Sequence, residues 1–126
     1  MSNTKLFPIV SSLALAIAIE KVFLIKPELK WPNDLTIKGK KVAGMLVDVS
    51  LESNKIENLV LGVGINFDVN VKQIEKLLKG TPNFYGVASL SDQKQNIKPI
   101  QLVQTFLLEL EKIYKALNEK QIKTII

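Results

Sequence analysis

The stretch LFPIVSSLALAIAI, residues 6 to 19, carries no charged side chain, and this constrains everything that can form around it. Pro8 can occupy the first turn of a helix, where its missing N–H breaks no hydrogen bond. The Ala- and Leu-rich sequence beyond continues that helix to about Phe23, ahead of Pro27. A helix apolar on nearly every side must be packed between other elements, which in a small domain usually means across a sheet. A lysine before the run gives it some likeness to a targeting signal. However, Glu20 and Lys21 close it without a small-residue cleavage pattern, and fourteen residues are too few to span a bilayer. The expectation is a buried helix in a cytoplasmic protein with no membrane partner.

The rest of the 126 residues is expected to form one domain around one core. Leu29 to Trp31 reads as a short extended piece, because Pro32 disfavours helical geometry in the residue before it. Leu35 to Ile37 and Lys40 to Ser50 read as strands joined at Lys38-Gly39, a two-residue turn in which glycine supplies a positive φ. After the polar Glu52-Ser53-Asn54, Ile56 to Asn66 reads as the next strand of a three-stranded antiparallel meander. Val71 to Leu78 has helical period and closes at Gly80. Thr81-Pro82-Asn83 is a turn opening an irregular stretch to about Asn96. Pro99 then starts a long amphipathic helix with Leu102, Val103, Phe106, Leu107, Leu110, Ile113, Tyr114 and Leu117 at helical spacing. The fold class is α+β, a mainly antiparallel sheet covered by helices.

Composition narrows the chemistry. Cysteine and histidine are both absent, which excludes disulfides, thiolate catalysis and the usual general base near neutral pH. All 17 basic residues are lysine and the net charge is +5. Without arginine's bidentate fork, phosphate binding must rest on lysine, magnesium or backbone N–H groups. The lysines are scattered without a stripe or interleaved aromatics, so no specific nucleic-acid partner is expected.

The candidate site lies around Lys41. Alternation along Lys40 to Asp48 puts Lys41, Ala43, Met45 and Val47 on one face and Lys40, Val42, Gly44, Leu46 and Asp48 on the other. Both faces are mostly apolar, as in a central strand covered on both sides. A lysine at its start either snorkels past the sheet edge or points its ammonium into a cavity. Gly62 and Gly64 weaken their strand unless something such as a flat ligand approaches the backbone closely, the alternatives being a bulge or a tightly packed helix crossing. Asn33-Asp34 after proline is also an ordinary turn sequence, Asn66 could cap the segment after it, Trp31 is assigned to the core, and Asp48 is read as structural.

The segments KWPNDL (residues 30–35), KKVAGMLVD (40–48) and GVGIN (62–66) together resemble, in order and spacing, the signature segments of the catalytic domain of biotin protein ligases. The likeness extends to the preceding apolar helix and to the helix after residue 99. The related lipoate ligases share the fold but do not carry the KWPND segment. The resemblance implies the fold of the class II aminoacyl-tRNA synthetase and biotin ligase superfamily. It implies ATP-dependent formation of biotinyl-5′-AMP and transfer of biotin to a lysine of a biotin carboxyl carrier protein, with ATP, biotin and Mg2+ bound.

By the same resemblance, Lys41 bridges the biotin carboxylate and the α-phosphate, Gly44 and Leu46 present backbone to biotin, and Gly62 and Gly64 form a wall of its site. Asn33 contacts the nucleotide or its magnesium, and Asn66 the adenine or phosphate end. Asp34 orients or deprotonates the incoming carrier lysine and stands, with Asn33, near the metal. The family's arginine- and glycine-rich loop, GRGR, lies upstream of the segments found here. The chain is therefore expected to be a single partial catalytic domain over residues 1–126, incomplete at its N-terminus, with no DNA-binding domain and no SH3-like C-terminal domain. Either a complementary N-terminal half or a homodimer is expected to complete it. The alternative is a catalytically inactive remnant of the same fold that binds biotin or the adenylate, or that self-associates.

Overall fold

A computed structural model describes residues 6–118. The order of elements is α1 (Leu6–Phe23), β1 (Glu28–Lys30), β2 (Asp34–Ile37), β3 (Lys40–Glu52), β4 (Lys55–Ile65), α2 (Val71–Leu78) and α3 (Pro99–Asn118). The four strands form one antiparallel sheet in sequence order. The meander thus has one strand more than expected, because Glu28–Lys30 pairs with Asp34–Thr36. The hairpin at Lys38-Gly39 has positive φ at both turn residues, as does Ser53-Asn54 between β3 and β4. That backbone matches the right-handed twist of the strands it joins.

Among the described residues, helices cover one face of the sheet only. The core is built from Leu15, Ile19 and Phe23 of α1, Leu35 and Ile37 of β2, Val42, Ala43 and Met45 of β3, and Leu102 and Phe106 of α3. The apolar helix α1 lies between α3 and the sheet, as its composition demands. On the other face Leu46 is 69% and Val60 62% exposed, so β3 is not covered on both sides as expected. Trp31, assigned to the core from sequence, is 76% exposed. The turn it occupies, before β2, carries it away from the helices. The side chain of Leu117 falls outside the described residues.

The second departure is in the pleat of β3. The pairing with β2 runs Leu35 to Ala43 and then Thr36 to Lys41, so Val42 is an extra residue on β3. Such a bulge turns two successive side chains toward one face, and Val42 and Ala43 are both fully buried. Lys41 is thereby shifted off the face of Ala43 and Met45, where strict alternation puts it, and onto the face of Gly44.

The stretch between α2 and α3 has little regular structure, but it is not peripheral. Ala88, Ser89 and Leu90 are buried, and a short 3-10 turn spans Leu90–Asp92. The stretch is fastened to the sheet through backbone bonds from Leu90 N to Asn66 O (2.9 Å) and from Ser91 N to Phe67 O (2.8 Å). Between the helices, Lys21 of α1 donates to Glu109 of α3, which also receives Lys112 at 3.3 Å. The Lys21 hydrogen bond, with that of Lys112, holds the Glu109 carboxyl below the usual carboxylate range against the opposing pull of burial.

Two stability outcomes follow. Leu90→Ala is expected to cost about 2–5 kcal/mol in urea unfolding, as for a fully buried leucine in regular structure. A peripheral loop would lose far less. Glu109 has its pKa lowered on folding, so its contribution is present above the ordinary carboxylate pKa and fades as pH falls through the lowered one. The urea midpoint of Glu109→Gln should lie below that of the parent at about pH 6 and converge with it as the pH falls below the ordinary carboxylate range.

Candidate active site

The uncovered face of the sheet carries an open cleft of about 550 Å3. Its floor is backbone. Gly44 pairs with Gly64 and Leu46 with Gly62, so three glycines of two adjacent strands remove the side chains that would otherwise stand there. A Cβ built on Gly64 meets nothing nearer than Gly44 O at 4.0 Å, and one on Gly62 nothing nearer than Leu46 O at 3.6 Å. The space is open enough for side chains, and none is present. This answers the question those glycines pose in sequence. They do not mark a tight helix crossing, since among the described residues no helix lies on this face.

Lys41 and Asp34 stand over one end of the floor, with Lys41 Nζ 3.5 Å from Asp34 Oδ1. Asp34 is opposite Gly44 in the β2–β3 register, and the bulge at Val42 brings Lys41 to the same side. A Cβ on Gly44 would lie 3.0 Å from Lys41 Nζ and 3.2 Å from Asp34 Oδ1, so this glycine makes room for the pair itself. The ammonium is part exposed, its side chain retaining 43% of its accessible surface.

The backbone of Lys41 is held from two directions. Its N–H donates to Gly86 O (3.1 Å), and its carbonyl accepts from Ala88 N (2.8 Å) and from Asn66 Nδ2 (3.0 Å). Asn66 lines the cleft and also donates its own N–H to Val42 O at 2.8 Å. It therefore straps β4 to the bulge and does not cap the following helix, α2, whose N-cap is Asn70. Asn33 is tied to Met45 twice, through Nδ2 to Met45 O at 3.0 Å and through its carbonyl to Met45 N at 3.0 Å. Its side chain does not line the cleft. Asp48, farther along β3, is exposed.

Tyr85 joins this group without any signal in the sequence. Its hydroxyl donates to Asp34 Oδ2 at 2.8 Å, and its ring lies under Lys30, whose Nζ is 3.0 Å from the centroid. Burial, and then the hydrogen bond to Asp34, holds its phenol well above its ordinary range. It therefore stays a proton donor at any physiological pH. A lone tyrosine in an irregular stretch has no periodicity to betray it.

Among the described residues no group of three histidine, cysteine or carboxylate side chains could hold a metal. Among the described residues Asp34 is the single carboxylate lining the cleft, and its two oxygens face Lys41 and Tyr85. Also among the described residues, no helix is long and apolar enough to cross a membrane.

Comparison with known proteins bears on the fold and the family. Residues 3–66 match the Biotin/lipoate A/B protein ligase family. The chain is 28% identical over 115 residues to the bifunctional ligase/repressor BirA of Bacillus spizizenii, covering 91% of this chain and 34% of that protein. A biotin protein ligase variant from Aquifex aeolicus, solved in complex with biotin, superposes with a TM-score of 0.77 at 26% identity, over 98% of this chain and 48% of that one. P. falciparum LipL1, solved with lipoate, shares the fold at a TM-score of 0.59 and 21% identity, over 83% of this chain and 30% of that one. The chain thus spans about a third of the BirA relative and about half of the Aquifex aeolicus chain. With its antiparallel sheet, its glycine-floored cleft and the matched segment that builds both, the chain belongs to the Biotin/lipoate A/B protein ligase family.

Proposed function

We propose that the cleft is the adenylation site of a biotin protein ligase, and that the chain forms part of a catalytic domain that makes biotinyl-5′-AMP and passes biotin to a lysine of a biotin carboxyl carrier protein. The observation that carries this reading is the single ammonium of Lys41 poised over a floor of glycine backbone. A flat, uncharged ring system can lie on that floor while its carboxylate reaches the lysine. The curated and structural relatives named as biotin ligases support biotin over lipoate, and so does the KWPND segment.

In the first step an oxygen of the biotin carboxylate attacks the α-phosphorus of ATP and pyrophosphate leaves. Negative charge builds on the α-phosphate oxygens, and Lys41 neutralises it most strongly in the transition state. Lys41 first has to share or leave Asp34, which its flexible stem permits. Gly44 and Leu46 offer backbone groups beside the ring, with Gly62 and Gly64 beneath it. Asn66, which lines the cleft, serves the nucleotide through the amide oxygen that its bond to Lys41 O leaves free, and Asn33 acts from outside the cleft by holding Met45. In the second step the carrier lysine amine attacks the acyl carbon and AMP leaves. Asp34, freed on one oxygen, accepts the proton.

One carboxylate does not make a dedicated magnesium cage. It suits an ion held chiefly by phosphate oxygens and water, with Asp34 as the protein's own donor and Asn33 behind it, holding Met45. Such an ion would offset charge on the phosphates.

The reading includes a partner surface. Among the described residues β4 is paired on one side only. Beside it an apolar groove of about 280 Å3 is lined by Phe7, Leu59, Leu61, Leu107, Leu110 and Tyr114. A complementary N-terminal half of the domain, or a second copy, would cover both. The proposed setting is the cytoplasm.

The direct test is transfer of labelled biotin to a carrier domain with ATP and magnesium, by the chain alone and by the chain mixed with a separately made upstream half. Transfer that requires the mixture is expected; no transfer in either case, with no binding of biotinyl-adenylate, would sink the reading. Within an active assembly, Lys41→Ala should lower adenylate formation by about 10²–10³. It should cost about 1 kcal/mol of stability or less, since the Asp34 pair is part exposed. Gly64→Val should fold normally, because valine suits a strand, yet abolish biotin binding by filling the cleft; unchanged affinity would place biotin elsewhere. Sedimentation at high concentration should show the chain self-associating, whereas a well-folded monomer would contradict the partner surface.

A further inference from the structure

The two charged groups of the cleft could hold each other without help, yet a third residue from a distant part of the chain grips one of them. Asp34 is bonded through Oδ2 to Tyr85 and through Oδ1 to Lys41. The segment that carries Tyr85 is joined to Lys41 itself. Gly86 O accepts from Lys41 N, Ala88 N donates to Lys41 O, and Val87 and Lys41 form a parallel bridge. On its far side the Tyr85 ring is covered by Lys30. Asp34, Lys41 and Tyr85 therefore belong to one closed loop of contacts, two legs of which are main chain.

We infer that Tyr85 is a positioning residue: by occupying one oxygen of Asp34, it fixes the carboxylate rotamer so that the other oxygen stays on Lys41 until a substrate carboxylate arrives. The asymmetry of the two partners supports this. Lysine has four rotatable bonds and can swing, whereas an aspartate pinned by a hydrogen bond cannot. When an acid enters, the ammonium is the part that moves and Asp34 remains in place beside it. A carboxylate without the tyrosine would be free to turn away or to follow the lysine. The phenol's preference for its protonated form keeps the bond intact across neutral and mildly alkaline pH.

The role assigned to substrate rests on the ligase reading, but the positioning itself can be measured without biotin or ATP. Only a free amine attacks an acylating reagent, so the rate at which sulfosuccinimidyl acetate modifies Lys41 reports how firmly its ammonium is paired. Peptide mass spectrometry of the whole chain gives that rate relative to the exposed Lys55. Tyr85→Phe keeps the ring beneath Lys30 and removes only the hydroxyl. It is expected to speed acetylation of Lys41 by about threefold, the scale of a part-exposed ion pair. Asp34→Asn should speed it at least as much.

If Tyr85 acts through Asp34, adding Tyr85→Phe to Asp34→Asn should change nothing further. An unchanged rate in Tyr85→Phe overturns the inference. So does an equal acceleration in both backgrounds, which would mean that the tyrosine merely packs the segment. The biotin-transfer assay reports separately on the reading of the site, so a failure there leaves this result standing, and the reverse.

Discussion

One extra residue on β3 sets the geometry on which both faces of the sheet depend. With Val42 inserted opposite the step from Leu35 to Thr36, the strand gives two successive apolar side chains to the core and returns Lys41 to the opposite side. A bulge is an irregularity in a ladder, and its freed backbone groups need partners. Here they find them in Asn66, Gly86 and Ala88. Those contacts draw the end of β4 and the stretch before α3 against the same point. The site is therefore assembled at the place where the sheet is least regular.

The two faces of the sheet divide the work of stability and recognition. α1 and α3 bury the apolar stripe of β2 and β3, and the core lies on that side. The other face is thereby released from any duty to pack, and it can carry three glycines at two paired positions of β3 and β4 without collapse. The usual cost of glycine in a strand, roughly 0.5–1 kcal/mol relative to alanine, is offset by the covered face. In return the cleft presents peptide groups and one charged pair, a surface suited to a flat polar ring with an acidic tail.

Much of this was legible in the sequence. Lys38-Gly39, Gly80 and Pro99 marked their boundaries, and the uniform hydrophobicity of residues 6 to 19 foretold a helix between layers. Lys41, Asp34, Gly44, Gly62, Gly64 and Asn66 were singled out, and they come together around one cleft. Asn33 was also named, but its side chain serves the backbone of Met45. What escaped was whatever breaks local periodicity. The bulge defeated the alternation rule. Trp31 was given to the core on residue type, although its turn points away from the helices. Tyr85 meets Asp34 across 51 positions of sequence, and no short-range pattern encodes that approach.

The ties on Lys41 are made by its own peptide N–H and C=O. Any residue but proline could form them at that position, since they ask nothing else of the side chain. The scaffold is therefore indifferent to the group that the cleft displays there. In an evolving lineage, a substitution that silenced the lysine would produce no misfolded protein for the cell to clear. Its loss would be visible to selection only through chemistry, and inheritance of the fold alone is no record that the chemistry persists.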